Sequence, residues 1–245
     1  MKSSINRTAR IGGVLYLILI LIGMFAVLFV RDKLIVSGDP TATANNIMAS
    51  PLLWRMGISA DLLMHVLDVP IMLIIYIILK PVNKHLALLV LLFNLVQTAV
   101  LVANKLNLIA ALFLLEHTVY LNAIESHQRY TQAYLSIKLH EYGFGVGLIF
   151  FGFVCLFEGY LIFRSGFLPK FIGILMQIAG LCYLTNSFAL LLAPTLAGKL
   201  FPLIMLPCFV AELSFCIWLI AKGVNTEKWE NMTRVATFPS QSTEL

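Results

Sequence analysis

Asp61, His65 and Asp68 stand four and three residues apart within one apolar stretch. Those offsets put all three on one face of a helix. A carboxylate–imidazole–carboxylate row can ligate a divalent cation, relay protons or hold a cationic group of a solute. It can equally pair with basic or amide side chains on a neighbouring helix and fix packing. A natural partner is Lys105, set in a seam of amides formed by Asn94, Gln97, Asn104 and Asn107; the alternative for Lys105 is to snorkel outward. His140 and Glu158 share a helical face but lie about 27 Å apart along it, so they cannot share a site. His140 matches Asp61 and His65 in depth and is the third-ligand candidate. Tyr183 and Asn186 add polarity to one segment, and Glu212 follows Pro202 and Pro207, where a kinked helix is expected. Asp61, His65, Asp68, Lys105, His140, Asn186 and Glu212 are therefore the candidate ligand- or ion-binding residues. His65, His140 and Asp61 are the metal-ligand candidates. No catalytic residue and no cofactor is assigned.

These residues must be carried by membrane-spanning elements. Of 245 residues, 60% are hydrophobic and 12% charged, whereas a soluble domain is nearer a quarter charged. A globule of this size cannot hide so much apolar surface, so lipid must solvate part of it. Six segments suffice to span: residues 11–30, 56–79, 85–115, 135–163, 171–192 and 200–221. The expected fold is all-α, a polytopic six-helix bundle over residues 1–224, followed by a polar, disordered cytoplasmic tail over 225–245. Residues 31–55 are expected to form a long polar loop with a turn at Ser37–Pro40. Residues 116–134 form a second, mixed connection. The Ile11–Val30 run is too long for the core of a signal peptide and ends in Arg31-Asp32-Lys33, so it is read as a retained first helix, peripheral and bearing only Tyr16 as a notable polar group. The spacing of Gly143 and Gly147 suits close helix approach.

Charge sets the orientation. With the N-terminus inside, the inner segments hold ten lysines and arginines (residues 2, 7, 10, 80, 84, 164, 170, 222, 228 and 234) and the outer segments six (31, 33, 55, 129, 138 and 199). The positive-inside rule then places both termini in the cytoplasm. The net charge of +5 is scattered among apolar stretches with no basic stripe interleaved with aromatics, which sets nucleic-acid binding aside. Cys155, Cys182, Cys208 and Cys216 fall in apolar stretches without CxxC spacing and are read as small buried side chains.

The stretches Arg7–Gly13, Leu34–Ile47, Arg55–Leu63 and Phe167–Gly173 resemble a bacterial multi-pass family designated domain of unknown function 4386, and the resemblance covers nearly the whole chain. It implies a multi-pass protein of the bacterial cytoplasmic membrane. It implies no activity and no set of catalytic residues.

Three functions are compatible with these residues. The first is a small-solute or ion binding and transport protein with an outward-facing polar cavity, proton-coupled through Asp68 and Glu212. The second is a non-enzymatic sensor or partner protein whose polar residues hold the bundle together. The third is a metal-dependent intramembrane hydrolase with Glu212 as general base. No helix carries His-x-x-x-His and no GxSxG is present, which ranks the third reading last. The partners expected are the lipid bilayer and a small solute or ion.

Overall fold

The computed structural model describes residues 2–116 and 123–237. Among them the chain is helical and contains no strand. Helix α1 (Lys2–Met24) widens into a π-helical stretch (Phe25–Arg31) and closes with the short α2 (Asp32–Leu34). There follow α3 (Pro40–Ala49), α4 (Pro51–Leu79), α5 (Lys84–Leu115), α6 (Ser126–Ser165), α7 (Lys170–Leu192), α8 (Pro194–Leu200), α9 (Met205–Ala221) and α10 (Thr226–Thr237). Five runs are long and apolar enough to cross a membrane: Ser4–Leu34, α4, α5, α6 and α7. The pair α8 and α9, bent by 54°, makes a sixth if it is one broken span. Large apolar side chains such as Leu21, Phe29, Val66, Leu106 and Leu192 are exposed, as lipid contact requires. The chain is a multi-pass membrane protein.

Several stretches differ from the sequence reading, each for a local reason. The expected loop over 31–55 contains α3. Asp39 caps it, its Oδ1 accepting from the Ala42 amide at 2.8 Å, with Pro40 in the first turn where its missing N–H costs nothing. Thr43, Ala44 and Ile47 form its buried side. The first membrane helix runs past Val30 to Leu34, carrying Arg31 with it. Helix α6 begins at Ser126 because Ala133 and Ile137, one turn apart, have a core to fill even though their neighbours are polar. In the last span the break falls at residues 201–204. Pro207 lies in the first turn of α9, where no intrahelical hydrogen bond is lost. Residues 226–237 of the expected disordered tail form α10, half-burying Trp229, Met232 and Thr233 at helical spacing. Residues 117–122 of the second connection and 238–245 of the tail lie outside the described residues.

The chain forms two compact units. One comprises residues 18–68 and 98–147. Its apolar core gathers Trp54, Ile47, Leu108, Leu112 and Ile137, and the Trp54 indole donates to the Leu108 carbonyl at 3.1 Å. The other comprises residues 1–17, 69–97 and 148–245. Within it α6 and α7 approach through paired glycines. A Cβ at Gly159 would lie 2.6 Å from the Gly173 carbonyl oxygen, and one at Gly180 would lie 2.7 Å from that of Gly152. Seven residues separate the glycines on each helix, so the two contacts repeat along one antiparallel seam.

Candidate functional site

The unit of residues 18–68 and 98–147 holds a buried ionic centre. Helix α4 supplies Asp61 and α5 supplies Lys105; both are almost wholly buried, at 1% and 2% exposure. The Lys105 ammonium stands 3.0 Å from Asp61 Oδ2. The same carboxylate oxygen accepts from Arg31 at 2.5 Å, and the Arg31 side chain is 18% exposed. On its other side, Lys105 Nζ lies 3.2 Å from His140 Nε2. An ammonium has only donors, so Nε2 accepts, and His140 is neutral with its proton on Nδ1.

Neighbouring groups fix this arrangement. Asn104 donates to the His140 main-chain carbonyl at 2.8 Å and accepts from Asn107 at 2.9 Å. The site exists because residue 143 has no side chain: a Cβ there would collide with the Asn104 amide. Gly147, one turn on, meets Leu101 in the same way, so the glycine spacing on α6 does set close packing against α5. His65, one turn from Asp61 on α4, is 3% exposed. Its Nε2 has no hydrogen-bond partner among the described residues. Asp68 accepts from Thr98 at 2.5 Å.

The second unit holds its own carboxylate centre. Tyr16 on α1 donates to Glu212 Oε2 at 2.9 Å, and Tyr183 on α7 donates to Glu212 Oε1. The buried Glu158 stands within electrostatic reach of Tyr16. Asn186 follows Tyr183 by one turn, with its Oδ1 lacking a hydrogen-bond partner among the described residues.

Of the residues singled out from sequence, Asp61, Lys105 and His140 touch in one chain of contacts, and His65 and Asp68 continue its α4 face. Glu212 and Asn186 belong to the other unit. Among the described residues no three His, Cys, Asp or Glu side chains are arranged to hold a metal ion. For His65, His140 and Asp61 the reason is visible, since the Lys105 ammonium takes up both Asp61 Oδ2 and His140 Nε2. Two residues escaped sequence reading. Arg31 closes an apolar run in a charged triplet, a pattern that reads as the start of a loop. Tyr16 sits on a helix whose sequence reads as peripheral, yet it is buried on Glu212. An intramembrane carboxylate without an obvious cation is the signal that points to tyrosine donors.

The chain belongs to the family described as domain of unknown function (DUF4386), whose model matches residues 11–223. It is 28% identical over 159 residues to an "Uncharacterized protein" of the archaeon Archaeoglobus fulgidus, covering 64% of this chain and 78% of that protein. No solved structure matches.

Proposed function

We propose that this membrane protein binds and transports a small solute, and that the solute is an anion bound through Arg31 and Lys105. The observation that carries this reading is the charge balance at Asp61: a guanidinium and an ammonium converge on one carboxylate oxygen, and the adjoining His140 accepts from the same ammonium. An uncompensated positive charge in a buried setting is expensive. A carboxylate or phosphate offsets it, and Arg31 offers the planar fork suited to such groups. His65 Nε2 supplies a further polar atom with no partner among the described residues. The partial exposure of Arg31 supports entry from its end of the bundle, which the charge distribution assigns to the outer face. The same charge distribution supports cytoplasmic termini, and the family resemblance supports the cytoplasmic membrane of a bacterium as the host. Proton coupling would involve Asp68 and Glu212.

A second reading is favoured by a specific observation. Asp61, Asp68 and Glu212 each already meet donors from another helix, as a purely cohesive polar core would require. The two readings separate in proteoliposomes adsorbed on a solid-supported membrane. A carrier gives charge-displacement currents on perfusion with one of a panel of small carboxylates and phosphate, and Lys105→Met abolishes them. A cohesive core gives no current with wild type for any of the panel.

A further inference from the structure

A separate feature lies at the end of the molecule where α1 begins. A cleft of 610 Å³ is lined by Asn6, Arg7, Arg10, Ile11, Val14 and Thr226 among others. Its two ends differ in chemistry. At one, Arg7 and Arg10 stand one turn apart on α1, both exposed, and neither guanidinium has an ion pair or side-chain hydrogen bond among the described residues. At the other, α1 turns apolar and presents Ile11 and Val14, each 46% exposed. Among the described residues no acidic side chain lines the cleft; Glu227, next to Thr226, is exposed and not part of the wall.

The opposite wall is held in place. Asn6 Oδ1 accepts from the Val224 amide at 3.2 Å. The Asn225 amide donates to the Phe167 carbonyl at 3.1 Å, and the Trp229 indole donates to the Ile78 carbonyl at 2.9 Å. These bonds seat the start of α10 beside the start of α1. The outer side of α10 exposes Glu227, Lys228, Asn231 and Arg234.

From the pairing of free guanidiniums with an apolar continuation along α1, we infer that the cleft between α1 and α10 is a binding site for one anionic phospholipid. Arg7 and Arg10 hold the headgroup phosphate, and an acyl chain lies along Ile11 and Val14. A free phosphate would use only the basic end; the apolar wall selects an amphiphile. A basic side chain at an anionic membrane surface contributes about five-fold in affinity, so the two arginines together contribute roughly thirty-fold.

The test is native mass spectrometry of the full-length protein released from detergent, titrated with phosphatidylglycerol and, separately, phosphatidylcholine. One phosphatidylglycerol should be retained in preference to phosphatidylcholine. Arg7→Gln with Arg10→Gln should weaken retention roughly thirty-fold. Val14→Trp, which fills the apolar end and leaves both charges, should also weaken it. Lys228→Gln, on the exposed side of α10, should leave it within about two-fold. Equal retention of the two lipids would overturn the assignment. So would undiminished binding to the double arginine variant, an equal loss in Lys228→Gln, or displacement of the lipid by equimolar inorganic phosphate.

Discussion

Lys105 Nζ stands 3.0 Å from Asp61 Oδ2, and the contact has a counterpart further along the same helix pair. Seven residues on from Asp61 along α4 is Asp68; seven residues back from Lys105 along α5 is Thr98, which donates to Asp68 at 2.5 Å. The two antiparallel helices thus meet twice through a carboxylate and a donor, two turns apart. Both acids lie on α4 and both donors on α5. This register places His65, midway between the acids, against a stretch of α5 where Leu101 is buried and offers no donor, consistent with its bare Nε2.

The first prediction concerns which partner matters more. Asp61→Asn leaves Arg31 and Lys105 facing each other without a counter-charge and should cost about 3–5 kcal/mol. Lys105→Met leaves the Arg31–Asp61 pair intact and should cost less, about 1–2 kcal/mol. Thermal unfolding in one detergent ranks them. A larger loss for Lys105→Met would mean that Asp61 and Arg31 do not form the dominant pair.

The glycine at position 143 should be intolerant of any side chain. Gly143→Ala collides with Asn104 and should destabilise by about 1–3 kcal/mol. Asn104→Ala in the same chain should recover part of that loss, since the clash goes with the amide. Gly198→Ala is the control, because nothing lies within 4 Å of a Cβ there. Equal melting shifts for Gly143→Ala and Gly198→Ala would contradict the packing.

Glu212 should depend on both tyrosines. Removing either hydroxyl, by Tyr16→Phe or Tyr183→Phe, takes a donor from a half-buried carboxylate and should cost about 1–3 kcal/mol. The pair should be non-additive, because they share one acceptor group. Glu212→Gln should reduce the sensitivity to either. Melting curves of the three variants and their combinations check this; strict additivity would place the tyrosines in independent roles.

The orientation predicts labelling. Single cysteines at Ser37 and Glu227 should react oppositely with a membrane-impermeant thiol reagent applied to intact cells. Ser37→Cys should label and Glu227→Cys should not, measured against a background in which the four native cysteines are replaced. The reverse pattern would invert the assigned topology.

The spans were readable because a twenty-residue apolar run has few alternatives. The face shared by Asp61, His65 and Asp68 follows from helical period; for Lys105, charge leaves pairing with an acid on α4 and outward snorkelling both open, and the fold selects the pair with Asp61. What was not readable depends on position across the membrane plane. Whether Glu212 joins Asp61 or stands in another unit is a question of packing, on which spacing along the chain is silent. Arg31 and α3 were missed for a different reason. Their segments are polar, and polarity marks where lipid ends, not where helix ends. The cap at Asp39 and the proline after it were the local signals for α3.

Binding of a small anion at the proposed Arg31–Asp61–Lys105 centre is tested by a ligand-dependent melting shift. Purified protein is heated in detergent with each of a panel of small carboxylates and phosphate, beside Arg31→Gln and Lys105→Met. At about 100-fold excess over Kd a bound anion stabilises by about 2.7 kcal/mol, a shift of several degrees. One anion of the panel should raise the wild-type melting temperature, and neither variant should respond. No shift with any of the panel, or an equal shift in the variants, would contradict it.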